Sequence, residues 1–227
     1  MKLWRNESWV IPPEQSSRFV WKMEQVLEVY KRPHRPKHPV LGFDESPKQL
    51  IGEVKQPIKC RNGVVRYDYE YERNGVGNIF LAVEPLQGKR FVQVFDRRTK
   101  QQWVNFMKYL AEEVYSDAEK ITLVQDNLST HDPAAFYEYL SAAQAKALVD
   151  KFEFIHTPEH GSWLNVAEIE LSVLQEQCLN RRIAEMKTLR KQVEAWQQDR
   201  NQRKSTIDWQ FEDKDARIKL RHLYPNI

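Results

Sequence analysis

Lys120-Ile121-Thr122-Leu123-Val124-Gln125-Asp126 is an apolar run of strand length that ends in an acid, and Val40-Leu41-Gly42-Phe43-Asp44 repeats the device earlier in the chain. Short runs rich in Ile, Val, Leu and Phe read as buried strands. In open α/β sheets the carboxyl ends of strands are where sites form. If these two strands are neighbours, Asp44 and Asp126 lie a few ångströms apart, and carboxylates that close repel unless protonated or bridged by a cation. Oxygen donors with no Cys partner favour Mg²⁺ or Mn²⁺ over zinc.

Working outward, residues 64–73 alternate, with Val65, Tyr67, Tyr69 and Tyr71 on one face, and Asn74-Gly75 is a turn signal. Residues 78–84 follow as the return strand and 90–96 as another, which predicts an antiparallel meander. The spacing of Trp103, Phe106, Met107, Leu110 and Val114 predicts a helix over 99–115. A second helix is expected over 133–148, capped by Asp132, then a strand over 152–156, a helix over 163–179 and a polar helix over 186–203 before a charged tail. The order β, β-meander, α, β, α, β, α predicts an α/β fold with a mixed sheet flanked by helices.

Upstream of Val40, Pro12-Pro13-Glu14 can open a helix carrying Phe19, Met23, Val26, Leu27 and Tyr30 at helical spacing. It stops at Lys31-Arg32-Pro33-His34-Arg35-Pro36-Lys37-His38-Pro39, where a proline at every third position favours an extended, polyproline-like linker. Three segments are therefore expected: an N-terminal helix and basic linker over 1–39, a catalytic domain over 40–180, and a charged helical extension over 181–227.

The 227 residues are 41% hydrophobic and 30% charged, enough to bury a core. No apolar run approaches a membrane span, no signal-peptide pattern opens the chain, and two cysteines, Cys60 and Cys178, build no disulfide scaffold. These features point to a cytoplasmic protein, and the seven glycines form no phosphate-binding loop. The net charge of +3 divides into +4 over 1–40, −6 over 41–180 and +5 over 181–227. The middle block holds the candidate ligands, and the flanks suit a polyanion. His34/His38 and His156/His160 lack the Cys pair of a zinc site. Arg181-Arg182, Arg190-Lys191 and Arg203-Lys204 could track phosphates, but a solvated helix face is the favoured reading.

A third acid comes from the helix over 163–179. Its apolar stripe runs through Leu164, Ala167, Leu171, Leu174 and Cys178, with Glu168 to one side and Glu170 to the other. Periodicity does not choose between them.

Three boxes, Gly42-Phe43-Asp44-Glu45-Ser46, Gln125-Asp126-Asn127-Leu128-Ser129-Thr130-His131 and His160-Gly161-Ser162-Trp163-Leu164-Asn165-Val166-Ala167-Glu168-Ile169-Glu170, resemble the catalytic boxes of DDE transposases. The similarity is greatest to the bacterial IS630 branch of the IS630/Tc1/mariner superfamily and spans residues 40–180. It implies a ribonuclease-H-like fold of the retroviral-integrase type. The family's Leu-Asn-x-x-acid pattern falls on Glu168, so Asp44, Asp126 and Glu168 become the implied catalytic and metal-binding triad, with Glu170 in reserve. The 41 residues between Asp126 and Glu168 are more than in Tc1/mariner relatives.

The resemblance further implies two Mg²⁺ or Mn²⁺ ions and cleavage and strand transfer of double-stranded DNA at transposon ends and target. It also implies a homodimer in the synaptic complex and a nucleoid-associated bacterial location, with no membrane. Asn127 and His131 are implied to position the scissile phosphate or a ligand carboxylate, and Arg32, Arg35 and Lys37 to track phosphates. Only one helix fits before residue 40, where relatives carry helix-turn-helix units. The alternative expectation is a silent remnant that regulates a full-length transposase; a nuclease acting on RNA–DNA hybrids is a third.

Overall fold

The computed structural model describes residues 14–225. The expected helix opening at Pro12-Pro13 lies outside them. Helix α1 (Ser17–Tyr30) begins at Ser16, whose hydroxyl accepts from the Phe19 amide at 3.2 Å. The strands follow in order: β1 (Val40–Glu53), the two-residue pair β2 (Ile58–Lys59) and β3 (Val65–Arg66), β4 (Tyr71–Glu84) and β5 (Lys89–Phe95). After helix α2 (Lys100–Tyr109) comes β6 (Ile121–Gln125). Helices α3 (Ala134–Tyr139) and α4 (Ala142–Lys151) precede β7 (Phe152–His156), and α5 (Val166–Leu174), α6 (Met186–Gln202) and α7 (Asp213–Lys219) complete the chain.

The main sheet has the order β5-β4-β1-β6-β7. β1, β4 and β5 form the antiparallel meander, while β6 and β7 join parallel to β1. Side chains alternate across this sheet. Phe80 and Ala82 join Leu41 and Phe43 beneath α2, α3 and α4, where Trp103, Phe106 and Phe136 fill the layer. Ile79, Leu81 and Val83 face the other way, onto α5 and α6 through Val166, Ala167, Leu174, Leu189 and Val193. α1 and α7 close the parallel end of that second face over Val124 and Leu164. Two apolar faces covered by helices are what a sheet with buried parallel strands requires.

Four expectations are corrected. Asn74-Gly75 is no turn, because β4 runs straight through it. Gln49 pairs Val76 and Ile51 pairs Arg73, so β4 carries one residue more than β1 there. Gly75, at φ +109°, absorbs that residue as a bulge. The meander therefore pairs β4 with β1, and most of residues 64–70 stand outside the main sheet.

The helix expected over 133–148 breaks at Leu140, which is extended. Ser141 restarts it with a capping box to Gln144. The helices expected over 99–115 and 163–179 each finish in a π-turn, at Leu110–Val114 and Gln175–Leu179. In the linker, the His38 amide closes a turn onto the Arg35 carbonyl at 2.9 Å, and Lys37 O accepts from the amides of Glu119 and Lys120. The segment is thus folded against the sheet instead of extended. Helix α7 gave no clear signal in the charged tail.

Cys60 and Cys178 are both free, and no helix among the described residues is long and apolar enough to cross a membrane.

Candidate active site

β1 and β6 run parallel only from Val40↔Thr122 to Gly42↔Val124. Extending that register by two residues sets Asp44 opposite Asp126, at the fork where β6 ends and β1 continues along β4 alone. Asp44 is therefore a mid-strand residue and not the end of its strand, because antiparallel pairing carries β1 on to Glu53.

Helix α5 delivers the third acid. Its N-cap Asn165 accepts from the Ala167 amide at 3.1 Å and donates to the Phe43 carbonyl at 2.7 Å and to Asp44 Oδ2 at 3.2 Å. Gly42 permits this docking: a Cβ there would stand 2.4 Å from Val166 Cγ1 and 3.1 Å from the Ala167 amide nitrogen. The first box thus carries both a ligand candidate and the bare backbone against which α5 seats. Glu168, in the first turn of α5, is half-buried with Ser162 as a side-chain hydrogen-bond partner.

The three acids feel one another. Burial, then the charges of Glu168 and Asp126, push the Asp44 carboxyl up to about 7 against the pull of the Glu45 amide. Burial and Asp126 likewise raise Glu168. Among the described residues no three His, Cys, Asp or Glu side chains form a ready-made metal cage. The fork offers oxygen donors only, and burial and its acidic neighbours raise its central carboxyl. Both properties suit a hard divalent cation.

His131 is fully buried behind Asp126. Nδ1 lies 2.6 Å from Asp126 Oδ1 and Nε2 lies 3.1 Å from Glu45 Oε1, so the imidazolium donates to both carboxylates. Burial opposes its charge, but the two hydrogen bonds outweigh that and raise it to about 9. The ring leans edge-on against Phe43 at 5.2 Å and stacks at 6.1 Å on Trp103. Gln125 fixes the turn by donating to the His131 carbonyl and accepting from Trp103 Nε1. Asn127 accepts from Lys22 Nζ at 2.8 Å and donates to the Thr157 carbonyl.

Glu170 sits elsewhere. It is 1% exposed and receives a bidentate pair of bonds from Arg90 at 2.7 and 2.8 Å plus one from Arg200 at 2.8 Å. The linker cations are also engaged away from the fork. Arg32 binds Glu153 and Thr122 at the starts of β6 and β7, and Lys37 binds Glu119 at 2.9 Å. Arg35 lines a cavity with Arg32 and Lys120 at that same far end. Of the C-terminal basic pairs, Arg182 binds Glu53, Arg190 binds Asp96 and Arg203 binds Asp199.

Asn165 and Glu45 stand inside the quoted boxes, but sequence reading gave neither a role at the site. Asn165 gave a signal, an Asx residue ahead of an apolar helical run, which starting the helix at Trp163 conceals. The pairing of Glu45 with His131 gave no signal, since the two are 86 residues apart.

A family model described as DDE superfamily endonuclease matches residues 39–190. No curated protein matches the chain. Among solved structures, the chain is similar to the Mos1 mariner paired end complex with Mn, at 14% identity and TM-score 0.56, covering 86% of this chain and 60% of that one. The Mos1 strand transfer complex is similar at 12% identity and TM-score 0.55, with 94% and 63% covered. The Mos1 paired end complex with Mg gives 12%, 0.52, 95% and 66%. At these identities the likeness is one of fold, the ribonuclease-H-like sheet with its helices. The chain spans less than two thirds of the length of those chains.

Proposed function

From the premise that this chain belongs to the DDE superfamily endonucleases, we propose that it is the catalytic domain of an IS630-type transposase. Its substrate is double-stranded DNA at the ends of an insertion sequence and at its target. The observation that carries this reading is the convergence of Asp44, Asp126 and Glu168 at the β1/β6 fork, each carboxylate in the field of another.

Two divalent cations held by these acids would supply an activated water or 3′-hydroxyl and would stabilise the leaving 3′-oxygen. Asp44, central to the fork, would be shared by both ions, with Asp126 and Glu168 holding one each. Asn165 sets Asp44 by bonding its Oδ2, leaving Oδ1 to the Glu45 amide. His131, paired to Glu45 behind it, holds Asp126 at a fixed angle, as outer partners of metal ligands do. The presence of Mn and of Mg in the structurally similar Mos1 complexes supports the choice of cation. That similar Mos1 structures are paired-end complexes, one of them with a left transposon end, supports a homodimer acting on DNA in the synaptic complex. Chromosomal DNA as substrate implies a bacterial cytoplasmic, nucleoid-associated protein.

The test is nicking of supercoiled plasmid with Mn²⁺, Mg²⁺ or no metal. The reading expects metal-dependent nicking that Asp126→Asn reduces to background. Equal nicking by the wild type and Asp126→Asn would overturn it.

A further inference from the structure

Beside the fork, a cavity of about 560 Å³ opens between the start of α1 and the loop after β7. Its lining includes Arg18, Lys22, Asn127, Glu159 and His160. Asn127 follows Asp126 directly, so this space begins one residue from the candidate metal ligands. Its walls are tied to them: Thr157 donates its amide to the Gln125 carbonyl at 2.9 Å, and Asn127 donates to the Thr157 carbonyl. The loop is itself tightly built. His160 holds a left-handed φ of +60°, a conformation that neighbours must fix for a residue with a side chain. A Cβ on Gly161 would stand 2.5 Å from Pro158 Cγ.

The charge in this space is unbalanced. Arg18 is exposed and has no ion-pair partner among the described residues. Among the described residues Lys22 bonds only the neutral Asn127 side chain. Burial and then the charge of Arg18 lower the Lys22 ammonium, while Glu159, the only acid in the lining among the described residues, opposes them. His156 beside it is lowered by burial and then by Lys22. Two cations kept together near a carboxylate cluster leave a place for an anion between them.

An aromatic ring completes the arrangement. Trp21 is 58% exposed and lies three residues after Arg18, which makes it a neighbour of Arg18 on the solvent side of α1, beside the cavity and outside its lining. Cations that follow a backbone and an exposed ring that stacks a base are the two parts of a single-strand site. The volume suits a ligand the size of a nucleotide and not a duplex.

We propose that α1 and the loop 157–161 form a subsite for an unpaired nucleotide flanking the scissile phosphate, with Arg18 and Lys22 on its phosphates and Trp21 against its base. The subsite rests on the nuclease reading above and adds residues to it that lie outside the three boxes. It ties α1 to the chemistry: a strand gripped by Lys22 is referred to Asp126 through Asn127.

The experiment measures binding of the full chain, without divalent metal, to a blunt duplex and to the same duplex with a single-stranded overhang, across a range of salt. For the overhang, Trp21→Ala is expected to weaken binding on the order of tenfold with an unchanged salt slope, and to leave the blunt duplex unaffected. Arg18→Ala with Lys22→Ala is expected to flatten the slope of log Kd against log salt by about 0.7 for each phosphate no longer neutralised. Lys22→Arg keeps the wild-type slope, and Lys146→Ala, an exposed lysine on α4, changes nothing. Equal losses on blunt and overhang DNA for Trp21→Ala, or a wild-type slope in the double variant, overturn the subsite. If the wild type fails to nick with metal yet shows the overhang pattern, the nuclease reading falls and the subsite stands. If it nicks while the variants bind overhang DNA as the wild type does, the subsite alone falls.

Discussion

Single residues at the fork balance opposite demands. Asp44 and Glu168 are raised above ordinary carboxylates, which is a cost to the folded chain at neutral pH. For Asp44 the sign follows from its direction: the folded form keeps its proton to about pH 7, against an ordinary 3.8. Its contribution is therefore present below 3.8 and lost as pH rises through 7. A divalent cation competes with that proton. Thermal melts should show Mn²⁺ raising Tm more at pH 8 than at pH 5.5, and an equal or reversed shift would contradict metal binding at Asp44.

His131 runs over a different window. With its pKa raised from 6.5 to about 9, its stabilisation is complete below pH 6.5 and lost through pH 9. His131→Ala, leaving Glu45 buried and Asp126 without its partner, should cost about 3–5 kcal/mol in urea unfolding at pH 6.5, and less at pH 9.5. Glycine 42 is a third such point. Gly42→Ala drives a methyl into Val166 and should cost about 1–3 kcal/mol, together with nicking activity, since α5 must shift to relieve it.

Among the elements, strands were legible where short runs were rich in Ile, Val, Leu and Phe: β6, β7 and the first five residues of β1 read directly, while the run of β1 on to Glu53 did not. The long strand β4 was not, because Asn-Gly has the chemistry of a hairpin and only its partner strand decides between turn and bulge. Residue Gly75 allows a clean check. A Cβ there would meet nothing within 4 Å, so Gly75→Ala tests conformation alone. At φ +109° it should lose about 1–2 kcal/mol in chemical denaturation; no loss would mean that the bulge is not fixed. The break between α3 and α4 was hidden for a similar reason, since Ser141 and Gln144 interrupt a pattern that otherwise continues. The pairings of Asn165, Glu45 and Arg90 escaped reading because their partners lie 80 or more residues away. Polar pairs at that distance leave no periodic trace, whereas the three acids stood out through the words around them.

Across the whole molecule, two acids on one helix do opposite things. Glu168 faces the fork, while Glu170 anchors the chain's C-terminal part. Arg90 on β5 and Arg200 on α6 meet at Glu170, and Arg90 also donates to the Ser205 carbonyl. Removing Glu170 leaves a buried guanidinium without its carboxylate. Glu170→Ala should therefore cost about 3–5 kcal/mol yet keep nicking per folded molecule. Glu168→Gln should do the reverse, abolishing nicking with little change in stability. Interchanged results would mean that the wrong acid has been placed at the fork. The most direct measurement is an anomalous-difference map from crystals of the full chain grown with Mn²⁺. The account predicts Mn²⁺ bonded to Asp44 and shared with Asp126 and Glu168, ions about 4 Å apart where two are bound. A map with no peak at the fork, or with Mn²⁺ bound to other residues and these three carboxylates bare, would contradict it.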